Sequence, residues 1–235
     1  VEHRGLWEYL WASQHCSNLQ AHKRMLQLAP YTFDASLFDL YLPLILRITV
    51  VLPETEYNYD LPYLANLIIE KKVNYIKSVP SFLRLLTQEL KTKPCNSLQN
   101  IYSVGEELLF ADVQRFHRNT GANIYNQYGP TESVGFVSIA HCLPTDKIVT
   151  LGYPIPNARL YILDDQLEPV TPGNYGELYI TKRYLARGYL GQEDLTSQRF
   201  IPNPFQQSEE RLGGGYSYLY KSGDKARWLP DGRLE

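Results

Sequence analysis

The stretch Ile124-Tyr125-Asn126-Gln127-Tyr128-Gly129-Pro130-Thr131-Glu132 begins in an apolar run, Asn123 to Tyr125, that reads as a short buried strand. The run stops at Gly129-Pro130, a pair that turns a strand into a loop. A hydroxyl, Thr131, and a carboxylate, Glu132, follow at once. Loops at the carboxyl ends of strands are where α/β sheets bind ligands. Asn126 offers donors and acceptors, Tyr128 a flat ring, and Glu132 an oxygen ligand for a hard cation. Such a set suits a nucleotide with Mg²⁺. A solvated turn capped by Thr131 accounts for the same letters, and on composition alone that plainer reading leads.

Upstream, strands and helices alternate. Leu6 to Trp11 has helical spacing, and Met25 to Ala29 reads as a strand closed by Pro30. Leu37, Leu40, Tyr41 and Leu44 recur at the three- and four-residue steps of an amphipathic helix. Ile48 to Leu52 is β-branched and predicts a buried strand. Helices follow over Leu61 to Lys72 (stripe Leu64, Leu67, Ile68), Ser81 to Leu90 with Ser81 as cap, and Leu108 to His117. Strands are predicted at Val73 to Ile76, Ile101 to Val104 and Ala122 to Tyr125. This alternation predicts an α/β fold: a mostly parallel sheet flanked by helices, over residues 1–143. Residues 144–235 change character. Short strands at Ile148 to Gly152, Ala158 to Leu163, Gly176 to Thr181 and Tyr218 to Lys221 are divided by turn signals, with helical pattern only around Asp194 to Phe200. They predict a smaller β-rich subdomain, distorted and barrel-like.

The totals narrow the function classes. The 235 residues are 44% hydrophobic, enough for a sizeable core. A net charge of −2 provides no basic face for nucleic acid. Cys16, Cys95 and Cys142 are scattered and odd in number, as expected of reduced thiols in a cytoplasmic protein. The greasiest run, Leu37 to Leu52, is interrupted by Asp39, Pro43 and Arg47, so no membrane span is predicted. Val1-Glu2-His3 and Gly232-Arg233-Leu234-Glu235 read as interior sequence, which predicts a longer parent chain.

Four motifs occur in order: Phe33-Asp34-Ala35-Ser36, Asn126 to Glu132, Gly176 to Ile180 with Ala186-Arg187-Gly188-Tyr189, and Tyr220-Lys221-Ser222-Gly223-Asp224. Together they resemble the adenylation domain of a nonribosomal peptide synthetase, within the adenylate-forming enzymes that include acyl-CoA ligases and luciferases. The resemblance spans the whole chain. It implies that a carboxylic acid is activated with Mg-ATP to an acyl-adenylate and pyrophosphate. The acyl group then passes to the phosphopantetheine thiol of a carrier protein, with condensation domains as further partners. It implies that Thr131 meets phosphate, Glu132 carries Mg²⁺, Tyr128 stacks on adenine beside Gly129, Asn126 meets the adenine edge, and Asp224 accepts the ribose hydroxyls. Arg187-Gly188 reads as a tight structural loop, with less weight on a phosphate contact for Arg187.

The resemblance also implies an amino-acid pocket. Asp34 is expected to pair with the substrate α-ammonium, or to cap the helix starting near Ala35; the ammonium role is favoured. Ala35, Phe38, Lys77, Tyr102, Val104, Gln127, Gly135 and Phe136 are expected to line the side-chain pocket. An inward Lys77 predicts an acidic, aspartate-like or glutamate-like substrate. A Lys77 that snorkels to water predicts a medium-sized or aromatic one. The family's phosphate loop and small C-terminal subdomain have no counterpart in the chain, which predicts that it is inactive alone. Two alternatives stay open: a stand-alone acyl- or aryl-CoA ligase, against which Asp34 argues, and a non-catalytic nucleotide-binding scaffold.

Overall fold

A computed structural model describes residues 1–54, 56, 59–93 and 95–235, with the side chains of residues 212 and 213 left out. Its contacts group the chain into two compact units: Ser13–Gln127 with Ala140–Thr150, and Val1–Ala12, Tyr128–Ile139 and Leu151–Glu235. The sequence boundary at 143/144 falls inside the short segment that returns to the first unit.

The first unit is built on parallel strands. After helix α1 (His3–Cys16) come β1 (Arg24–Leu26), α2 (Ser36–Leu46), β2 (Thr49–Val51), α3 (Leu61–Glu70), β3 (Tyr75–Ser78), α4 (Pro80–Leu90), β4 (Asn100–Val104), α5 (Phe110–Thr120) and β5 (Asn123–Tyr128). The sheet order is β2-β1-β3-β4-β5, every pair parallel, with β6 (Ser138–Cys142) beside β5. Side chains alternate faces along each strand. Ile76, Ile101 and Ile124 therefore share one face, where Leu64, Leu83, Leu86 and Phe116 from α3, α4 and α5 cover them.

Three local expectations are corrected. The buried face of α2 carries Phe38, Asp39, Leu42 and Pro43, while Tyr41 and Leu44 of the predicted stripe are exposed. This helix is apolar nearly all round, so periodicity alone could not choose its face; the contact of Phe38 with the sheet did. Ser81 is not a cap. Pro80 opens α4 after Val79, and Ser81 donates from Oγ and its backbone N–H to the Glu106 carboxylate at 2.8 and 3.0 Å. The strand at Thr49–Val51 lies at the sheet edge and is not buried.

In the second unit, β7 (Tyr153–Pro154) pairs with Ser138 and Ile139. No strand forms over Ile148 to Gly152. Strands β8 (Ala158–Leu163), β9 (Gly176–Lys182), β10 (Phe200–Pro202) and β11 (Tyr218–Ala226) make an antiparallel sheet in the order β10-β11-β9-β8. Helices α6 (Glu193–Arg199) and α7 (Ser208–Gly213) connect them; α7, closed by a capping box at Gln207, has too little apolar pattern to be read from sequence. The β11–β9 register shifts between Lys221 and Lys225. This irregularity lifts Ser222-Gly223-Asp224 out of the ladder and leaves Asp224 exposed, as bulges beside functional sites do.

Candidate functional site

The predicted site residues divide between the two units. In the first, register does the assembling. Lys77 faces Tyr102 across β3–β4, Tyr102 faces Tyr125, and Val104 faces Gln127 across β4–β5. Partners in a parallel ladder point the same way, so Lys77, Tyr102, Val104 and Gln127 occupy one face, opposite the isoleucines. Phe38 of α2 meets that face, with its ring 5.0 Å from the Tyr102 ring and 4.4 Å from Lys77 Nζ. Tyr102 contributes a ring rather than a hydroxyl, because its OH donates to the Ser17 carbonyl and accepts from Asn100. Gln127 is 2% exposed, and neither polar atom of its amide has a hydrogen-bond partner. Such an orphan costs about 1–3 kcal/mol, a debt that a polar ligand would cancel.

Lys77 is 2% exposed and therefore does not snorkel. Burial pulls its ammonium down to about 8, against the pull of the Asp39 and Asp34 charges. Asp39, fully buried, is pushed up to about 7 by burial, opposed by the Lys77 charge and by the N–H groups of Leu28 and Ala29. Asp34 is half-buried and Ala35 stands beside it. Asp34 does not cap α2: the N-cap position is Ala35, with no side-chain cap bond, and Ser36 Oγ donates to the Phe33 carbonyl instead. Asn126 points to the other face of β5, and its Nδ2 donates to Thr150 O at 3.0 Å.

In the second unit Tyr128 and Asp224 come together across 96 positions. Tyr128 OH donates to Asp224 Oδ2, and burial together with that carboxylate drives the phenol well above its usual range. Gly129 is forced by close approach: a Cβ there would stand 2.6 Å from Gly135 O and Phe136 Cα. Gly129→Ala should therefore destabilise the protein by about 2 kcal/mol, read as a shift in urea midpoint at unchanged slope. Gly135 and Phe136 are buried against the Tyr9 ring, Phe136 edge-on at 5.4 Å, so both take part in packing. Thr131 is exposed and Glu132 half-buried on a single 3₁₀ turn, Thr131–Ser133. Tyr189 OH donates to Glu132 Oε1 at 2.5 Å. Arg187 does not pack as the sequence suggested; its side chain is exposed and paired with Glu2 at 2.6 Å.

Among the described residues no three His, Cys, Asp or Glu cluster to hold a metal. A lone carboxylate fits Mg²⁺ all the same, since this ion takes one or two protein carboxylates and completes its shell with phosphate oxygens and water. The sequence reading missed Asp39 as a partner of Lys77, and Tyr189 and Tyr220 as partners of Glu132. The only signal for Asp39 was a charge on an otherwise apolar helix.

Residues 1–190 match the family described as AMP-binding enzyme. The whole chain is 35% identical to a part of tyrocidine synthase 3 from Brevibacillus parabrevis, of which it covers 4%. Over 90% of its length it is 38% identical to phosphinothricin tripeptide synthetase PhsB from Streptomyces viridochromogenes, of which it covers 17%. The chain thus spans a small part of these curated relatives. A crystal structure of the nonribosomal peptide synthetase FmoA3 matches with a TM-score of 0.88 at 28% identity, over 100% of this chain and 25% of that one, and so does its AMPPNP-bound form. No described helix is long and apolar enough to cross a membrane. The chain belongs to the AMP-binding enzyme family, and its fold is that of a nonribosomal peptide synthetase adenylation domain.

Proposed function

We propose that this chain forms the amino-acid-selecting and nucleotide-facing part of an adenylating ligase. In the reaction, an amino-acid carboxylate oxygen attacks the α-phosphorus of ATP, pyrophosphate leaves, and aminoacyl-AMP forms. The acyl group then moves to the phosphopantetheine thiol of a carrier protein, which with condensation domains would be the partner within a synthetase. The observation that carries this reading is the meeting of Tyr128 with Asp224. A ring and an exposed carboxylate side by side suit a nucleoside, the ring for adenine and the carboxylate for both ribose hydroxyls. Thr131 would donate to phosphate, and Glu132 would hold Mg²⁺, which would supply positive charge to the phosphate oxygens. On this reading Asp34 takes the α-ammonium, and Ala35, Phe38, Lys77, Tyr102, Val104 and Gln127 shape the side-chain pocket.

The buried Lys77 and the unsatisfied Gln127 amide favour a substrate side chain with a carboxylate, aspartate-like or glutamate-like. ATP–pyrophosphate exchange on the full-length protein with a complete amino-acid panel tests this. The strongest exchange is expected with aspartate or glutamate. Exchange with leucine or phenylalanine and none with either acid would end the acidic reading. Thioester formation on coenzyme A with an aryl or fatty acid, and no amino-acid exchange, would end the adenylation-domain reading as well.

A further inference from the structure

The Glu132 carboxylate is held by more than its own turn. Its backbone carbonyl accepts from Ala186 N–H at 2.8 Å, and its Oε1 accepts from Tyr189 OH at 2.5 Å. The Ala186 to Tyr189 loop thus grips Glu132 twice. That loop is itself fixed. Tyr189 N–H donates to Thr196 Oγ1 at 2.9 Å, and its ring stands edge-on to Phe200 at 5.9 Å. Gly188 has φ +137°, and a Cβ there would meet Thr196 Cγ2 at 2.3 Å, so only glycine lets the loop close on α6.

A second phenol stands behind the first. Tyr220 OH lies 3.5 Å from Tyr189 OH, and the Tyr220 ring packs on Phe200 at 5.2 Å. Tyr220 is 6% exposed on β11, an inner strand of its sheet. The arrangement runs from a rigid strand, through two phenols, to a carboxylate on a short turn. A short turn defines a carboxylate's direction poorly, whereas a phenol anchored on a sheet defines it well.

We infer that Tyr189, backed by Tyr220, is a positioning residue that fixes the Glu132 carboxylate for the metal of a bound metal–nucleotide. The inference rests on the reading that Glu132 carries that metal. Outer partners of metal ligands set ligand orientation, and their loss costs about 10–100-fold in metal affinity or activity. Neither phenol needs to touch substrate.

The test uses the full-length protein with Mn²⁺ as a paramagnetic substitute and a non-hydrolysable ATP analogue. Electron paramagnetic resonance measures bound Mn²⁺, and metal-free AMP serves as the control ligand. Tyr189→Phe keeps the ring against Phe200 and removes only the donor. It is expected to weaken Mn²⁺–analogue binding about tenfold while AMP affinity stays within about twofold. Tyr220→Phe is expected to give a smaller loss, about threefold, in the same direction; if Tyr189→Phe fails to fold, this variant decides. Unchanged Mn²⁺–analogue affinity, or a parallel loss of AMP affinity, overturns the inference. Glu132→Gln separates the two levels. If it leaves Mn²⁺–analogue binding intact, the metal role of Glu132 falls, and the positioning role with it. If it weakens binding and the tyrosine variants do not, only the positioning role falls.

Discussion

With Asp34 in its proposed role, Asp34→Ala is expected to lower amino-acid-dependent ATP–pyrophosphate exchange by about two to three orders of magnitude, the cost of leaving a desolvated ammonium without its carboxylate. The carboxylate stands immediately before α2 and close enough to Lys77 to support that ammonium's charge. It is half-buried, so an incoming α-ammonium can reach it without unfolding the helix start. Removing it has two consequences of the same sign. On the proposed reading the substrate ammonium loses its counter-charge, and Lys77 loses the Asp34 charge that favours its protonated form. Lys77 then sheds its proton more readily, and an acidic side chain loses its partner too. Metal–nucleotide affinity, measured without amino acid, should stay within about twofold, because Asp34 has no part in the proposed nucleotide contacts. Exchange that survives at near wild-type rate with the same amino-acid preference would show that the ammonium is held elsewhere. Equal loss of nucleotide affinity would instead assign Asp34 a structural role.

How much of this was legible beforehand depends on the range of the physics involved. Strand register is local and periodic, so the one-faced set Lys77, Tyr102, Val104 and Gln127 follows once β3, β4 and β5 are recognised as parallel neighbours. The choice of buried face on α2 was not legible, because Phe38, Leu40, Leu42 and Leu44 are all apolar and only contact with the sheet distinguishes them. The meeting of Tyr128 with Asp224 needed a resemblance, since nothing local links positions 96 apart. Tyr189 gave no signal at all. Its motif reads as a glycine loop, and the phenol's role appears only when Glu132 lies within hydrogen-bond reach. Asp39 was visible only as an interruption, although a buried charge on an apolar helix is a residue type that demands a partner.

That partner makes the second large prediction. Asp39→Ala is expected to destabilise the protein by about 3 kcal/mol, because it leaves Lys77 buried without its main internal counter-charge. The double variant Asp39→Leu/Lys77→Met should recover most of the loss, since replacing a whole buried pair by apolar side chains is often neutral or better. The pH dependence has a definite sign. Asp39 titrates at about 7 in the folded chain, against about 3.9 when unfolded, so between these values the folded state holds a proton that the unfolded state has released. Its contribution is fully present below about pH 4 and is lost as pH rises through about 7. Lys77 behaves oppositely: held at about 8 against about 10.4 unfolded, it costs stability as pH falls from the upper value to the lower. The pair is therefore least favourable near neutrality. Urea unfolding from pH 5 to 7 should show wild type losing about 1–2 kcal/mol relative to the double variant. The same charge arithmetic bears on substrate choice. Asp34, Asp39, Lys77 and a substrate ammonium balance when the substrate side chain is neutral. An acidic side chain balances only if Asp39 takes up a proton, which a group titrating at about 7 does at little cost. Acidic-substrate binding should then draw a proton from solution near neutral pH, measurable as a buffer-dependent heat in calorimetry. A wild type with no pH-dependent loss against the double variant, and no proton uptake, would mean that Asp39 stays ionised and Lys77 is neutralised from inside the fold, which favours a neutral side chain.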